Sequence, residues 1–358
     1  MSVPLGRSGL GLSPVVLGTM DRRGLTPAER EALVARALDR GVIAVDTAPL
    51  YEFGDAERWI GRAIRGRSGV VVLTKVGLRW EDARGEELFG CPSPEGGWRS
   101  VRKDSRPRSV RRDVEGSLRR LGLETLDLVQ IHHPDRETPV EETLETLLEL
   151  RREGKLRAIG VSNFSVEQAE RARVALGGVP LASIQVRYSL LDRSSESDLT
   201  AWAVRHGVGV LAYSPLAEGI LAGRYLDRPF PLATDSAEHH RKNARPATAF
   251  VRTVLAPMAR ARGVPVASVA LAALRERLGR PLPVFGASRP EHIDAAAASL
   301  GVTLTPDELA SIDRGLEALS FDARAGHRRR DRALQRVVRM AEKASRRLPS
   351  RLRPSWGG

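Results

Sequence analysis

Short apolar runs alternate with amphipathic stretches along most of this chain. Runs rich in Val, Ile and Leu predict buried strands, and apolar residues at helical spacing between them predict helices. The predicted strands are 15–17, 42–45, 70–74, 126–131, 157–161, 182–186, 208–212 and 283–285. The predicted helices are 27–40, 55–65, 107–120, 139–153, 165–175, 195–206, 247–262, 266–278 and 306–317.

Three of these helices begin with the signature of a capping box, in which a Ser or Thr before the first turn pairs with a Glu or Gln three residues later. In two of them a Pro also stands at the first helical position, where its missing N–H costs little. The pairs are Thr26 with Glu29, Ser165 with Gln168, and Thr305 with Glu308.

Eight strands that are each followed by helical sequence predict a parallel sheet, and eight such units close into a barrel. Residues 3–5 and 10–12 flank a Gly-Arg-Ser-Gly turn and predict a hairpin cap. The alternative is an open doubly wound sheet, which prefers a Gly-rich phosphate turn after an early strand. The early Gly9-Leu10-Gly11 falls in the hairpin instead, with no helix after it. The predicted fold class is therefore α/β, a single (β/α)₈ TIM barrel over residues 1–320 with an N-terminal β-hairpin cap.

The net charge of +13 is distributed unevenly. Residues 321–358 hold twelve Lys or Arg and three Asp or Glu, so this segment carries +9 and the rest of the chain +4. Apolar residues at 334, 337, 338 and 341 follow helical spacing and predict a basic amphipathic C-terminal helical extension. An acidic partner or a membrane surface would suit its basic face, and a helix packed on the barrel flank is the alternative. Trp356 is its only Trp or Tyr, which argues against base stacking with nucleic acid.

Cysteine content and hydropathy limit the other classes of protein. Cys91 is the only cysteine, which excludes an intramolecular disulfide and a thiol cluster for a metal. No apolar run approaches the roughly 18 residues of a membrane span, and the first residues lack the pattern of a signal peptide. We therefore expect a cytoplasmic protein with no membrane span and no metal site.

Four chemically active residues stand where predicted strands end or in the loop just after. Asp46, Lys75 and His132 each follow an apolar run, and Tyr51 lies in the loop after the first of them. In a parallel barrel all the strand carboxyl ends open on one face, so these residues would converge there. Taken alone, each residue also has an ordinary structural explanation. The Asp could cap a helix or turn, and the Lys ammonium could simply be solvated.

Together the four residues suit proton donation to a carbonyl oxygen. A phenol has an unperturbed pKa of about 10, and a nearby ammonium lowers it. Lys75 would supply that ammonium, Asp46 would hold it, and neutral His132 would orient the carbonyl. The set contains no hydride, so a nicotinamide dinucleotide is the expected reductant.

Two connections are longer than usual in an α/β barrel. One runs from Gly77 to about Pro107, and the other runs from Leu216 to about Pro246. Both follow strand carboxyl ends, and both contain aromatic residues that suit a pocket wall or lid. The alternative is that both connections are surface loops with no part in a pocket. Their aromatic residues are Trp80, Phe89 and Trp98 in the first, and Tyr225 and Phe230 in the second.

Six ordered motifs over about residues 3–318 resemble those of the aldo-keto reductases, in particular the bacterial branch with a long third loop. The first motif is Asp46-Thr47-Ala48-Pro49-Leu50-Tyr51, together with the strands that end in Lys75 and His132. The strongest motif is Gly-Lys-Leu-Arg-Ala-Ile-Gly-Val-Ser-Asn-Phe at 154–164, and further motifs occupy 185–191, 213–216 and 285–291. The resemblance implies a barrel that binds extended NADP(H), with NAD(H) as the alternative, and reduces an aldehyde or ketone or oxidises an alcohol.

The resemblance also implies roles for individual residues. Asp46, Tyr51, Lys75 and His132 match the catalytic tetrad. His133 occupies a position beside the substrate pocket, and Trp80 of the first long connection is the other predicted substrate-binding residue. Arg289 argues for a 2′-phosphate, because guanidinium and phosphate pair bidentately. The residues that match cofactor contacts are Gly18, Thr19, Met20, Ser162, Asn163, Gln185, Tyr213, Ser214, Pro215, Leu216, Gly219, Gly286, Ser288, Arg289 and His292.

Four positions depart from the family pattern. Glu52 replaces the usual Gly and could raise the pKa of Tyr51 or contact a substrate hydroxyl. His133 replaces a bulky aromatic residue, and Ala296 and His292 differ near the adenine.

The main functional hypothesis is an NADPH-dependent carbonyl reductase. The alternative is an NADP(H)-binding regulatory subunit on the same barrel. The sequence leaves the substrate and the oligomeric state open.

Overall fold

The computed structural model describes residues 2–20, 24–92, 97–228 and 244–319. Eight parallel strands form a closed barrel, which confirms the predicted (β/α)₈ fold. In chain order, the barrel strands are β3 (Val16–Gly18), β4 (Ala44–Asp46), β5 (Val71–Val76), β9 (Leu126–Ile131), β10 (Leu156–Ser162), β11 (Leu181–Arg187), β12 (Gly209–Tyr213) and β13 (Leu282–Gly286).

Helices surround the barrel and bury their apolar faces against the outer side of the strands. All three predicted capping boxes form. The helix at 290–298 was missed in the sequence, although Pro290 at its first turn was a usable signal. The helices are α1 (Pro27–Asp39), α2 (Asp55–Ile64), α3 (Pro107–Leu121), α4 (Val140–Arg152), α5 (Val166–Ala175), α6 (Ala201–His206), α7 (Ala244–Phe250), α8 (Ala256–Arg262), α9 (Val266–Arg275), α10 (Pro290–Ala298) and α11 (Pro306–Glu317). π-Helical turns precede α6 at Glu196–Thr200 and α8 at Val251–Leu255.

The predicted hairpin closes the amino-terminal end of the barrel. Strand β1 (Val3–Pro4) pairs antiparallel with β2 (Gly11–Leu12). Leu5 and Leu12 are fully buried in a cluster with barrel-interior residues. Because the hairpin fills this end of the barrel, access to the interior is left at the carboxyl ends of the strands.

The long connection after β5 contains three strands that were not among the strands predicted from the sequence. Strands β6 (Leu78–Arg79), β7 (Glu87–Pro92) and β8 (Trp98–Lys103) form an antiparallel sheet in the order β6-β8-β7. We call this the insertion sheet. Its strands mix charged and aromatic residues, so they lack the apolar runs by which the barrel strands were found.

The buried guanidinium of Arg79 anchors the insertion sheet to the segment that leads into α3. It donates to Asp104 Oδ2 at 2.5 Å and forms an ion pair with Asp82 Oδ2 at 2.8 Å. Asp104 also accepts hydrogen bonds from Ser109 and Arg106. These bonds hold the sheet at the carboxyl end of β5.

Some predictions fall outside the described residues. Phe230 lies there, and so do the basic extension 321–358 and its boundary with the barrel. In the described part of the chain no single helix is long and apolar enough to span a membrane. One bent pair, Ala244–Arg262 with Val266–Arg275, would pass by length and composition alone.

Candidate active site

Lys75 lies at the centre of a hydrogen-bonded cluster at the carboxyl ends of β4 and β5. Its side chain is 1% exposed. The ammonium donates to Asp46 Oδ1 at 2.6 Å, to the carbonyl oxygen of Thr47 at 2.9 Å and to Tyr51 Oη at 3.2 Å. An ammonium has three protons, so these three acceptors use all of its donors.

The Asp46 carboxylate is fixed from its other side by two amides. Gln185 Nε2 donates to Asp46 Oδ2 at 3.0 Å, and Gln130 Nε2 lies 3.5 Å from the same oxygen. Ser183 in turn donates to Gln130 Oε1. The carboxylate is therefore held on both oxygens and cannot rotate away from Lys75 without losing these bonds.

His132 lies beside Tyr51 at the mouth of the barrel. The two rings meet edge to face, with 5.9 Å between their centroids. The imidazole of His133 stacks on that of His132 at 5.3 Å. Three of the four predicted catalytic residues are thus joined by hydrogen bonds through Lys75, and the fourth contacts Tyr51 through its ring.

Burial and charge set the protonation states of the cluster. Burial raises the pKa of Tyr51, and the ammonium of Lys75 offsets only part of that rise. The net direction is opposite to the lowering predicted from the sequence, because that prediction counted the charge and not the desolvation of the phenolate. Burial also lowers the pKa of His132 well below its usual range, aided by the charge of Lys75. At neutral pH the phenol is protonated and the imidazole is neutral.

Burial alone would lower the pKa of Lys75, but Asp46 and Tyr51 together outweigh it and raise this pKa. The lysine therefore remains an ammonium. His133 has a pKa of about 4, chiefly through burial and then through the positive charges of Lys103 and Lys75. Its ring, like that of His132, is neutral at physiological pH.

The turn that carries Tyr51 has unusual backbone geometry. Glu52 and Phe53 both have positive φ, at 52° and 54°, inside the 3₁₀ segment Tyr51–Gly54. The Glu52 carboxylate pairs with Arg30 and accepts a hydrogen bond from Trp59 at 3.3 Å. In this structure Glu52 is therefore engaged by α1 and α2 and does not contact the phenol of Tyr51.

Polar side chains line the adjacent strand ends. Ser162 and Asn163 at the end of β10 contact each other at 3.1 Å, and Ser162 donates to the backbone oxygen of Gln185. Tyr213 at the end of β12 donates to Asn163 Oδ1 at 2.9 Å. Asn163 has a φ of 62°, a conformation that a non-glycine residue rarely adopts and that holds its amide in this group.

The remaining predicted cofactor residues lie along the same rim of the barrel. Gly18 and Gly286 are paired in the register of β3 and β13, and Thr19 donates to the backbone oxygen of Asp46 at 3.0 Å. Met20, Ser288 and Arg289 are exposed. The backbone of Ser288 donates to His292 Nδ1 at 3.2 Å. The turn over residues 214–219 contains four residues with positive φ: Ser214, Ala217, Glu218 and Gly219.

Comparison with known proteins identifies the family. The sequence model of the aldo/keto reductase family matches residues 14–317. The chain belongs to the aldo/keto reductase family. It is therefore an oxidoreductase that acts on carbonyl or CH–OH groups, in a family that uses nicotinamide cofactors.

The chain is similar to three known members of the family, one of which has a solved structure. It is 32% identical to the aldo-keto reductase YhdN of Bacillus subtilis (strain 168) over 317 residues, which cover 87% of this chain and 90% of YhdN. It is 38% identical to an NADH-specific methylglyoxal reductase of Escherichia coli (strain K12) over 234 residues, 62% of this chain and 69% of the relative. The solved structure of the glycerol dehydrogenase AKR11B4 from Gluconobacter oxydans superposes with a TM-score of 0.78 at 33% identity, covering 90% of this chain and 96% of that one.

Several residues of the site were not found by sequence reasoning. Gln130 contacts Asp46 from the last residue but one of a buried strand, and a polar residue in an apolar run was a usable signal. Arg187 lies with its guanidinium carbon 5.6 Å from the Tyr213 ring. Phe53 meets the predicted pocket residue Trp80 edge to face at 5.5 Å. Arg187 and Phe53 gave no local signal, since their roles depend on residues distant in the sequence.

Proposed function

We propose that this aldo/keto reductase reduces an aldehyde or ketone with NADPH, and that Tyr51 is the general acid. The observation that supports this most directly is the buried ammonium of Lys75, which joins the Asp46 carboxylate to the phenol of Tyr51. A protonated phenol and a neutral imidazole then lie side by side at the open end of the barrel.

The residues divide the proton chemistry among them. Tyr51 holds a proton on Oη and donates it to the substrate oxygen as negative charge develops there. The ammonium of Lys75 stabilises the phenolate that remains, since it already donates to that oxygen. Asp46 keeps Lys75 charged and in place. His132, being neutral, donates a hydrogen bond that orients the carbonyl without adding positive charge.

The residues beside this cluster fit a nicotinamide carboxamide. Asn163 and Gln185 offer amides and Ser162 a hydroxyl, so donors and acceptors meet at the ends of adjacent strands. Tyr213 offers an aromatic ring next to them, and the turn 214–219 offers backbone amides suited to a pyrophosphate. When bound there, the dinucleotide supplies or accepts the hydride.

For the choice of cofactor, Arg289 supports NADP(H). It is exposed and directly precedes α10, and its side chain can pair bidentately with a 2′-phosphate. Replacing Arg289 by Ala should raise the Kd for NADPH about tenfold while the Kd for NADH stays within twofold, as measured by protein fluorescence. Equal changes for both cofactors would refute the phosphate role.

Tyr51→Phe tests the catalytic proposal. Loss of the acidic proton should lower kcat by a factor on the order of 10² to 10⁴, while the Kd for NADPH changes less than threefold. The assay follows NADPH oxidation over a panel of aldehydes, ketones and sugars, with fluorescence titration of the cofactor in parallel. Turnover near the wild-type rate in Tyr51→Phe would exclude Tyr51 as the general acid.

A further inference from the structure

A cleft of about 790 Å³ lies between α2 and α3 on the outside of the barrel. The two helices lead within a few residues into β5 and β9, so their last turns lie at the amino-terminal ends of these strands. The proposed active site occupies the opposite face, where the strands end. The cleft is therefore separate from the residues that the proposed chemistry uses.

Among the described residues that line this cleft, every charged side chain is an arginine. The other lining residues are glycines and the aliphatic Ile64, Leu121 and Leu123. Gly61 lets the two helices touch at the floor, since a Cβ there would lie 2.5 Å from the backbone oxygen of Leu121. The arginines are Arg58, Arg62, Arg65, Arg67, Arg119 and Arg120.

Four of the six arginines have carboxylate partners that do not line the cleft. The pairs are Arg58 with Asp55, Arg62 with Glu31, Arg67 with Asp39, and Arg120 with Glu57. The first three pairs each use a single guanidinium nitrogen, and those three side chains remain 37–54% exposed. Since a guanidinium has five N–H donors, each of the three can still donate to a further acceptor.

Arg65 and Arg119 provide positive charge that no carboxylate matches. Both are exposed, and neither forms an ion pair within residues 2–20, 24–92, 97–228 and 244–319. Arg65 follows the last residue of α2, and Arg119 lies in the last turn of α3. The carboxyl end of each helix adds a partial charge of only about −0.5, so the two guanidinium charges outweigh both helix ends. The cleft therefore attracts anions.

The composition of the cleft favours phosphate over other anions. The planar fork of an arginine matches two phosphate oxygens, and a phosphate group has three acceptor oxygens that can pair with more than one guanidinium. Arg58, Arg62 and Arg65 follow i, i+4, i+7 spacing and extend over about 10 Å along α2, so a row of phosphates suits them better than a single one. None of the described lining residues is aromatic, which leaves no platform on which a base could stack.

From this arrangement we infer that the cleft binds a polyphosphate chain through its phosphate groups, with Arg65 and Arg119 as the principal contacts. The inference goes beyond the proposed function and does not depend on it, because no described residue of the cleft is assigned to catalysis or to the cofactor.

The test is calorimetric titration of the full chain with tripolyphosphate at low ionic strength. NADPH is present in excess, so that the proposed cofactor site is occupied. The double variant Arg65→Gln with Arg119→Gln should raise the Kd for tripolyphosphate at least tenfold, because it removes two sets of charge-assisted hydrogen bonds. Added salt should weaken binding to the wild type by screening.

The matched control is the double variant Arg152→Gln with Arg205→Gln. These exposed arginines lie in the last turns of α4 and α6, so the control removes the same charge from equivalent places on the barrel. Its Kd for tripolyphosphate should stay within twofold of the wild type. Thermal unfolding of both double variants checks that each is folded.

Three results would overturn the inference. One is an absence of tripolyphosphate binding to the wild type. Another is an equal loss of affinity in both double variants, which would indicate attraction to net charge alone. The third is an unchanged Kd in the Arg65 and Arg119 variant, which would place the ligand elsewhere, for example on the basic segment 321–358.

A DNA duplex and an oligoglutamate peptide are titrated in parallel. We expect both to bind more weakly than tripolyphosphate at the same concentration of negative charge. If either binds more tightly and loses affinity in the Arg65 and Arg119 variant, the cleft is a surface for nucleic acid or for an acidic protein. That result would overturn the choice of a polyphosphate chain.

Discussion

Lys75 and Arg79 are both buried cations that lie four residues apart in the chain, yet their surroundings differ. Arg79 is held by the carboxylates of Asp104 and Asp82. Lys75 has one carboxylate partner, and its other acceptors are a backbone carbonyl and the phenol of Tyr51. Arg79 is thus surrounded by groups that stay ionised, whereas Lys75 touches a group that can lose its proton.

The difference suggests how to separate a structural buried charge from a reactive one. The pKa of Asp104 is about 2, because hydrogen bonds from Arg106, Ser109 and Arg79 outweigh the effect of burial. Across the usual pH range that network does not change its protonation. The Lys75 cluster contains the phenol of Tyr51, whose proton the proposed mechanism transfers to the substrate.

Replacing Lys75 by Met should have the largest effect, and it should fall on turnover. Without the ammonium, the phenolate of Tyr51 loses its stabilising partner, so we expect kcat to fall by a factor on the order of 10³. Asp46 would retain its amide partners Gln185 and Gln130. Steady-state kinetics and thermal unfolding of the same sample separate the two effects. A kcat within tenfold of wild type would contradict the distinction between a reactive Lys75 and a structural Arg79.

Replacing Arg79 by Met should act mainly on stability. It leaves the buried Asp104 without its buried cation, and removing one partner of such a pair costs about 3–5 kcal/mol. Denaturant unfolding measures this loss, and kcat per folded molecule should fall far less than in Lys75→Met. The control is Arg58→Met, whose pair with Asp55 is exposed and should have no measurable effect. Equal stability of the Arg79 and Arg58 variants would show that the buried pair is not structural.

Asp113 contacts the backbone between the Lys75 cluster and the Arg79 network. Its Oδ2 accepts a hydrogen bond at 3.1 Å from the N–H of Gly77, which lies between Lys75 and Arg79 in the chain. Burial raises the pKa of Asp113 to about 7. An unfolded Asp has a pKa of about 3.9. The folded state therefore binds this proton more tightly, and the stability that it contributes is present at pH 4 and lost as pH rises to about 7.

Asp113→Asn removes that dependence while keeping an oxygen acceptor for Gly77. As the pH rises from 4.5 to 7.5, the wild type should lose unfolding free energy relative to the variant. The difference should amount to a few kcal/mol at most, at about 1.4 kcal/mol per unit of pKa shift. Denaturant titrations at several pH values give the two curves. Parallel curves would mean that Asp113 keeps an ordinary pKa.

Much of the fold could be predicted because its signals are local. The strand predicted at 126–131 is observed as Leu126–Ile131, and the helix predicted at 306–317 as Pro306–Glu317. Capping boxes and apolar periods act over a few residues, so neighbouring sequence is enough to find them. The insertion sheet was missed because its strands are defined by pairing with one another and not by apolar runs.

The candidate site was partly predictable for the same reason. A polar residue at the end of an apolar strand is visible in sequence, and the barrel brings such residues to one face. The surroundings of Glu52 were not visible, because Arg30 reaches it from another helix. The direction of the shift in the Tyr51 pKa could not be predicted from the sequence either, since it depends on how completely the phenol is buried.

The barrel, the face at which its strands end and the four residues that meet there follow from the sequence alone, because strand and helix periods and their alternation are encoded locally. The contacts of each of those residues depend on the folded chain. Asp46 is held by Gln185 from 139 positions away, and the insertion sheet sets Arg99 beside Phe53. Hydrogen bonds and desolvation depend on distances between atoms in space, and separation along the chain does not specify them.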